Sequence, residues 1–406
     1  MAEGRQWRIW PFVAEPETIE PVTGTIYCGD NLAVLNDYAT EIPRESVDLI
    51  YLDPPFNSQR TFNEIYRGSE AQQFAFKDSW SWDEAAPEYA RLKDSPEITS
   101  PLRALLRTLH DLLVDTDSDQ LAYLVMMAPR LAALRRVLKA TGSLYLHCDP
   151  TASHYLKVML DAIFGPGRFL NEIVWKRTHS HGDPKRNFGS ITDTILLFTG
   201  SDQYQFFPSY RPFASEYASA RFSQRDADGR AWQSVTLRSP NPRPNLVYEY
   251  TASNGKTYTP HANGWSCDVE RMREYDAQNR LHFPSKAGGQ LRLKMYLDES
   301  KGVKIQSLWD DIPPVNSQAQ ERLGYPTQKP LALMERILAT SSQPGDVVLD
   351  PFCGCGTTIE AAERMGRRWI GIDVARRSVE LLRLRFDRAG LATPDVVWHP
   401  ADPRAG

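Results

Sequence analysis

A disulfide framework is the first thing this chain lacks. Its five cysteines (Cys28, Cys148, Cys267, Cys353 and Cys355) are an odd number at no recurring spacing, the pattern of reduced thiols. Cys353 and Cys355 have no second ligand pair beside them, so no metal site is expected. No run of about 18 apolar residues occurs, which argues against a membrane-spanning helix. The start, MAEGRQWRIWPFVAEPETIEPVTG, has neither the charged lead nor the apolar core of a signal peptide, and a cytoplasmic setting is expected. A whole-chain basic excess is also missing: 47 Lys and Arg stand against 51 Asp and Glu, a net −4. That counts against general adhesion to nucleic acid. There is no internal repeat and no low-complexity tract.

Ordinary globular material is present. Of the 406 residues, 41% are hydrophobic and 24% charged. The charge is uneven. Residues 60–120 hold 12 acids against 7 bases, and residues 200–330 hold 14 acids against 17 bases. Between them, 175-WKRTHSHGDPKR-186 carries four bases, one acid and two histidines. Local basic patches matter more than the total where a phosphate backbone is the partner, although a solvated mixed surface reads the same way.

The apolar rhythm predicts strands at 24–30, 47–52, 143–148, 169–175 and 193–200, with helices over 31–38, 121–142 and 151–165. Residues 57–120 break that rhythm and read as a loop and helix insertion. From 201 to 323 the periodicity fades into short candidate strands such as 245–251 and 291–297, with frequent aromatics. It then resumes as helix 331–340, strand 346–350, helix 357–366, strand 369–373 and helix 376–386. Alternating strands and helices predict an α/β fold.

Two stretches carry chemistry. In 51-YLDPPFNSQR-60 a buried strand is stopped by two prolines, which cannot serve a central ladder. It therefore presents Asp53, Pro54, Pro55 and Phe56 at its end. The other, 346-DVVLDPFCGCGTTIEAAERMGRRWIGID-373, is a βαβ unit. Gly354 and Gly356 let a ligand approach the backbone, but the third glycine of a dinucleotide fingerprint is missing. Asp373, at the end of the second strand, suits ribose hydroxyls. An ordinary tight turn capped by Thr357 or Thr358 is the competing reading.

Together these motifs resemble the beta group of amino-directed DNA methyltransferases, which use S-adenosylmethionine. The acidic form 51-YLDPPFNS-58 is similar to the catalytic motif of the adenine members, and 350-DPFCGCGTT-358 to the cofactor loop. The stretches 325-YPTQKPLALMERIL-338 and 27-YCGDNLAVL-35 resemble flanking motifs, and 296-YLDESKGVKIQSLWDDI-312 resembles blocks of type III modification subunits and single-chain relatives. The catalytic motif precedes the cofactor loop, the permuted order of that group. The resemblance implies a Rossmann-like, mostly parallel sheet with helices on both faces. It implies an arm over 1–23, a catalytic half over 24–200, an inserted target-recognition domain over 201–323, a cofactor half over 324–390 and a tail over 391–406.

It also implies roles. Asp53 and the Pro54 carbonyl would accept the two N–H bonds of a flipped adenine's amine, with Pro54 and Pro55 fixing the backbone and Phe56 stacking on the base. Asp30, Lys329, Asp350, Pro351, Phe352, Gly354, Gly356, Thr357, Thr358 and Asp373 would hold S-adenosylmethionine. Double-stranded DNA is the implied partner; a homodimer and a restriction or defence partner subunit stay open. So do an N4-cytosine product and, in another class, a non-catalytic nucleic-acid binder. His147 and His154 show no partner in sequence and read as structural.

Overall fold

The computed structural model describes residues 23–37, 42–55, 60–64, 73–78, 80–179, 186, 188–286, 288–316, 318–325 and 327–399. The expected arm, apart from residue 23, lies outside these residues. The described chain forms two compact units, one of them Tyr210–Ile305 and the other built from the segments on either side of it.

The larger unit is organised on a nine-stranded sheet. Its strands are β1 (Thr25–Cys28), β2 (Val47–Leu52), β3 (Leu138–Cys148), β4 (Phe169–Lys176), β5 (Thr192–Thr199), β6 (Leu308–Trp309), β7 (Val347–Asp350), β8 (Arg368–Asp373) and β9 (Asp395–Trp398). Their order across the sheet is β6-β4-β5-β3-β2-β7-β8-β1-β9. All pairings are parallel except those of β5, which runs against β3 and β4. The α/β expectation therefore holds, with one reversed strand.

Strand β2 is buried at all six positions, as a central parallel strand covered on both faces should be. Side chains alternate between the faces. Ile50, Leu52, Leu144, Leu146 and Cys148 join a core with the helices α3 (Ser100–Leu113), α4 (Ser118–Val137) and α5 (Ser153–Phe164). On the other face the Tyr145 hydroxyl lies 2.6 Å from Ser341 Oγ in α6 (Leu331–Ser341). Helix α4 is buried around its whole circumference, the pattern of a helix enclosed between sheet and neighbours. No described helix is long and apolar enough to cross a membrane.

Several boundaries differ from the sequence reading. The helix expected to reach Gly142 ends at Val137, and β3 starts at once at Leu138. Lys139 anchors that early strand on both oxygens of Asp48 at 2.8 Å. Gly142 is a close-packing point instead of a helix stop: a Cβ there would lie 2.6 Å from Leu138 Cδ1 and 2.9 Å from the Asp48 carbonyl. In 245–251 only Tyr250–Thr251 is strand. The tail supplies β9, paired along β1. Residues 306–316 belong with the sheet unit and not with an insertion reaching 323: β6 pairs with β4, and Trp175 Nε1 donates to the Ile312 carbonyl at 3.0 Å. The insertion after β2 contains a hairpin (Arg60–Glu64 with Gln73–Asp78), α2 (Trp82–Leu92) and α3.

The second unit has its own four-stranded antiparallel sheet, ordered Leu281–His282, Arg292–Tyr296, Ala231–Thr236, Gln224–Arg225. A separate core gathers Leu237, Tyr250, Trp265, Met272, Leu281 and Leu291.

Candidate active site

The carboxyl ends of β1, β2, β3, β7 and β8 share one sheet edge, because these strands are parallel. The reversed strand β5 brings its amino end to the same edge. Strands β2 and β7 are direct neighbours, with Leu49 against Val348 and Ile50 against Leu349. Asp53 and Asp350, nearly 300 residues apart in sequence, thus leave adjacent strands at almost the same level. A cavity of about 1050 Å³ opens there. It is lined by Asp53, Pro54 and Pro55 on one side and by Asp350, Pro351, Phe352, Gly354, Thr357, Thr358 and Asp373 on the other. Asp30 and Lys329 also line it. Gly356 does not; it turns the loop. Phe56 lies outside the described residues.

Asp53 has an asymmetric carboxylate. Its Oδ2 accepts a bond from Lys329 Nζ, whereas its Oδ1 is buried with no hydrogen-bond partner among the described residues. An unmatched buried acceptor is costly and marks a place where a donor is expected to arrive.

Opposite, the loop after β7 is shaped by its glycines. Gly354 (φ +50°) and Gly356 (φ +78°) are left-handed. A Cβ on Gly356 would sit 2.5 Å from Leu382 Cδ1, and one on Gly354 would sit 3.0 Å from Tyr325 Cε1. Asp373 ties the loop to β8: it accepts from Gly354 N at 2.8 Å, from Ala375 N at 2.8 Å and from Ser378 Oγ at 2.9 Å. Burial pushes its carboxyl up despite these bonds. Asp350 is fully enclosed. Burial pushes its carboxyl up to about 7, with Asp53 and Asp373 adding to the effect and bonds from Thr358 and the Phe352 amide opposing it.

Other supports gave no sequence signal, because each joins distant positions. Arg385 in α8 (Arg376–Ala389) donates to the Cys355 carbonyl at 2.7 Å and to Glu360 in α7 (Thr357–Arg364) at 2.6 Å, all of it buried. Asn31 Nδ2, at the start of α1 (Asn31–Asn36), donates to the Pro351 carbonyl at 2.8 Å. Arg130 donates to Asn31 Oδ1 at 2.7 Å and pairs with Asp30. Asp30 meanwhile caps α1 by accepting from Ala33 N at 3.0 Å.

A buried polar chain also reaches the cavity. The Tyr51 hydroxyl is 2.9 Å from His147 Nδ1, and His147 Nε2 is 3.1 Å from Asp193 Oδ2. Arg177 Nε lies 3.1 Å from Asp193 Oδ1. Tyr51, Asp193 and Arg177 all line the cavity. Burial pushes the Asp193 carboxyl up, but His147, Lys329 and Arg177 outweigh that and hold it below the usual range. His147 does have partners; they sit on neighbouring strands and are found only once the strand order is known.

The described residues contain no cluster of His, Cys, Asp and Glu fit for a metal. The residues present do suit a cationic, ribose-bearing cofactor: an acidic wall, a glycine cradle that a Cβ would fill, and a cavity at the upper end of the about 300–1,000 Å³ usual for small-molecule sites.

A family described as DNA methylase (N6_N4_Mtase) matches residues 47–383. The type II methyltransferase M.EcaI of Enterobacter cloacae is 31% identical over 268 residues, 65% of this chain and 57% of that protein. The StyLTI Mod subunit of a type III restriction-modification enzyme from Salmonella typhimurium is 28% identical over 348 residues, 82% of this chain and 48% of that one. The DNA adenine methyltransferase YhdJ of Escherichia coli K12 is 25% identical over 379 residues, 92% of this chain and 86% of that one. The chain thus spans about half the length of the first two of these relatives. With the family match running from β2, through the cavity's two loops, into α8, this chain belongs to the N6/N4 DNA methylase family.

Proposed function

We propose that the protein transfers a methyl group from S-adenosylmethionine to the exocyclic N6 amine of adenine in double-stranded DNA. The single observation that carries this reading is the shared cavity: Asp53-Pro54-Pro55 and the glycine loop after Asp350 line one space at the ends of adjacent strands.

Adenine's amine is a poor nucleophile because its lone pair is delocalised into the ring. Asp53 Oδ1, buried and without a hydrogen-bond partner among the described residues, accepts one N–H. The Pro54 carbonyl accepts the other. Two fixed acceptors favour a pyramidal nitrogen whose lone pair is free to attack, and the proline rings hold those acceptors before the base arrives. The base reaches them by leaving the duplex stack, at a cost of a few kcal/mol. When bound, the cofactor supplies an electrophilic methyl on a positive sulfur. Asp350, Asp373 and the Gly354 loop would hold it, and Asp30 with Arg130 and Asn31 would support that wall. As the N–C bond forms, the methyl–sulfur bond would break with its electron pair staying on sulfur, which becomes a neutral thioether, and the nitrogen sheds a proton toward Asp53 or solvent.

The inserted unit is read as the part that grips DNA. Residues 210–305 hold 15 Lys and Arg against 10 Asp and Glu, and Arg238, Arg243, Lys256 and Lys286 are exposed. Such groups suit phosphates and base edges. The similarity to a type III Mod subunit over 82% of the chain favours a companion restriction subunit, which co-purification from the native cell tests.

The activity itself is tested with labelled S-adenosylmethionine and duplex DNA, followed by mass analysis of the nucleosides. N6-methyladenine is the expected product. N4-methylcytosine would move the chain to the other branch of its family, and absence of transfer would overturn the reading.

A further inference from the structure

Lys329 reaches the base-binding side of the cavity. Its ammonium bonds Asp53 Oδ2 and donates to the Thr327 carbonyl at 3.3 Å. Both side chains are largely shielded, with 8% of the lysine and 17% of the aspartate exposed. Ordering a long lysine in so enclosed a place costs rotamer entropy and hydration, so something must hold it there.

The segment around it is built to do so. Thr327 has φ +63°, a left-handed conformation that a β-branched residue adopts only when its surroundings impose it. Gln328 braces the turn: its Oε1 accepts from Leu323 N at 2.9 Å and its Nε2 donates to the Glu321 carbonyl at 2.6 Å. Glu321 in turn accepts from Leu331 N, the first residue of α6, at 2.9 Å. The lysine therefore projects from a pinned backbone, and its tip rests on Asp53.

Fixing Oδ2 fixes Oδ1. A carboxylate at a strand end turns about its side-chain torsions and offers either oxygen. With one oxygen engaged, the other has a single place, and that oxygen is the buried one lacking a partner among the described residues. Lys329 also offsets charge where the cavity wall carries Asp53, Asp193 and Asp350 together.

We infer that Lys329 is a positioning residue for Asp53: it holds the carboxylate so that Oδ1 faces the target amine, and it serves the rate of transfer rather than cofactor affinity. The inference rests on the methyl-transfer reading above.

The test compares wild type, Lys329→Met and Lys329→Arg. Single-turnover transfer to duplex DNA is measured at saturating cofactor, cofactor Kd by calorimetry, and folding by thermal melt. For Lys329→Met the transfer rate should fall about 100-fold, the scale of a lost alignment, with Kd for S-adenosylmethionine kept within about threefold. Lys329→Arg, which keeps the charge, should regain about tenfold of that loss. If Lys329→Met does not fold, Lys329→Gln, neutral and one atom too short to meet Asp53 in the same way, carries the same expectation. An unchanged transfer rate, or a weakened Kd with the saturated rate intact, overturns the assignment while leaving the methyl-transfer reading standing. A wild-type protein that binds cofactor but transfers nothing overturns both.

Discussion

At the scale of single residues, the site is a set of carboxylates in different environments. Asp350 is pushed up to about 7 by burial. A group bound as its carboxylate to the cationic cofactor then binds best when ionised. Affinity for S-adenosylmethionine should rise as pH passes upward through about 7 and level off above, and calorimetry across pH 6–8.5 checks this. In Asp350→Asn the affinity should be weaker and flat over that window. The same group bears on stability with a definite sign. Its folded carboxyl is raised above the ordinary 3.8, so its contribution is fully present below 3.8 and lost as pH rises through about 7. The cofactor-free protein should therefore melt higher at pH 6 than at pH 8 on account of Asp350. Asp350→Asn should narrow that gap by about 1.4 kcal/mol, the share of the shift that falls between pH 6 and pH 8. Asp193, held low, has the opposite sign: its contribution is present above the ordinary carboxylate range and lost as pH falls below it. Gly356 tests the loop's shape. An alanine there must take φ +78° and meet Leu382 at 2.5 Å. Gly356→Ala should cost about 2–3 kcal/mol in a denaturant melt and weaken cofactor binding.

The scale of elements explains what the sequence made legible. Strands such as β2 and β7 announce themselves as short apolar runs closed by Asp-Pro, and α6 to α8 by helical spacing. Both site motifs sat at strand ends and were readable there. Less legible were the places where local signals conflict or vanish. Leu138 and Lys139 prolong the Leu- and Arg-rich pattern of α4, yet pairing beside β2 and the Asp48 bond draw them into β3. Strand β6 is two residues long, too short to carry a period, although it seats Trp309 in the sheet unit. The Tyr51–His147–Asp193 chain and the Arg385–Glu360 pair depend on strand order and helix packing, which no local pattern encodes. The latter pair can be tested directly. Arg385→Met leaves Glu360 Oε2 buried without that donor, while Arg364 still holds Oε1 at 2.8 Å, and removes a support of the Cys355 carbonyl. It should cost about 2 kcal/mol, with Glu360→Gln in the same chain restoring part of it. A denaturant melt of the single and double variants measures both.

For the molecule as a whole, the permuted motif order reflects where the chain crosses its own sheet. The strand bearing Asp53 is laid down early and the strand bearing Asp350 late, and β7 pairs beside β2, closing the interval. The segment between supplies β3 to β6 and an inserted unit with a core of its own. If that unit grips DNA, charge reversal at exposed Arg243 and Lys256 should weaken duplex binding by about three- to tenfold per site near physiological salt and flatten its salt dependence. Cofactor Kd should not move; a changed cofactor Kd with intact DNA binding would remove the unit from that role. The most direct measurement of the central claim compares nucleosides from duplex DNA treated with wild type and with Asp53→Ala, alongside cofactor Kd for both. The account predicts N6-methyladenine from wild type and none above background from Asp53→Ala, which still binds cofactor. Undiminished N6-methyladenine from Asp53→Ala would contradict it.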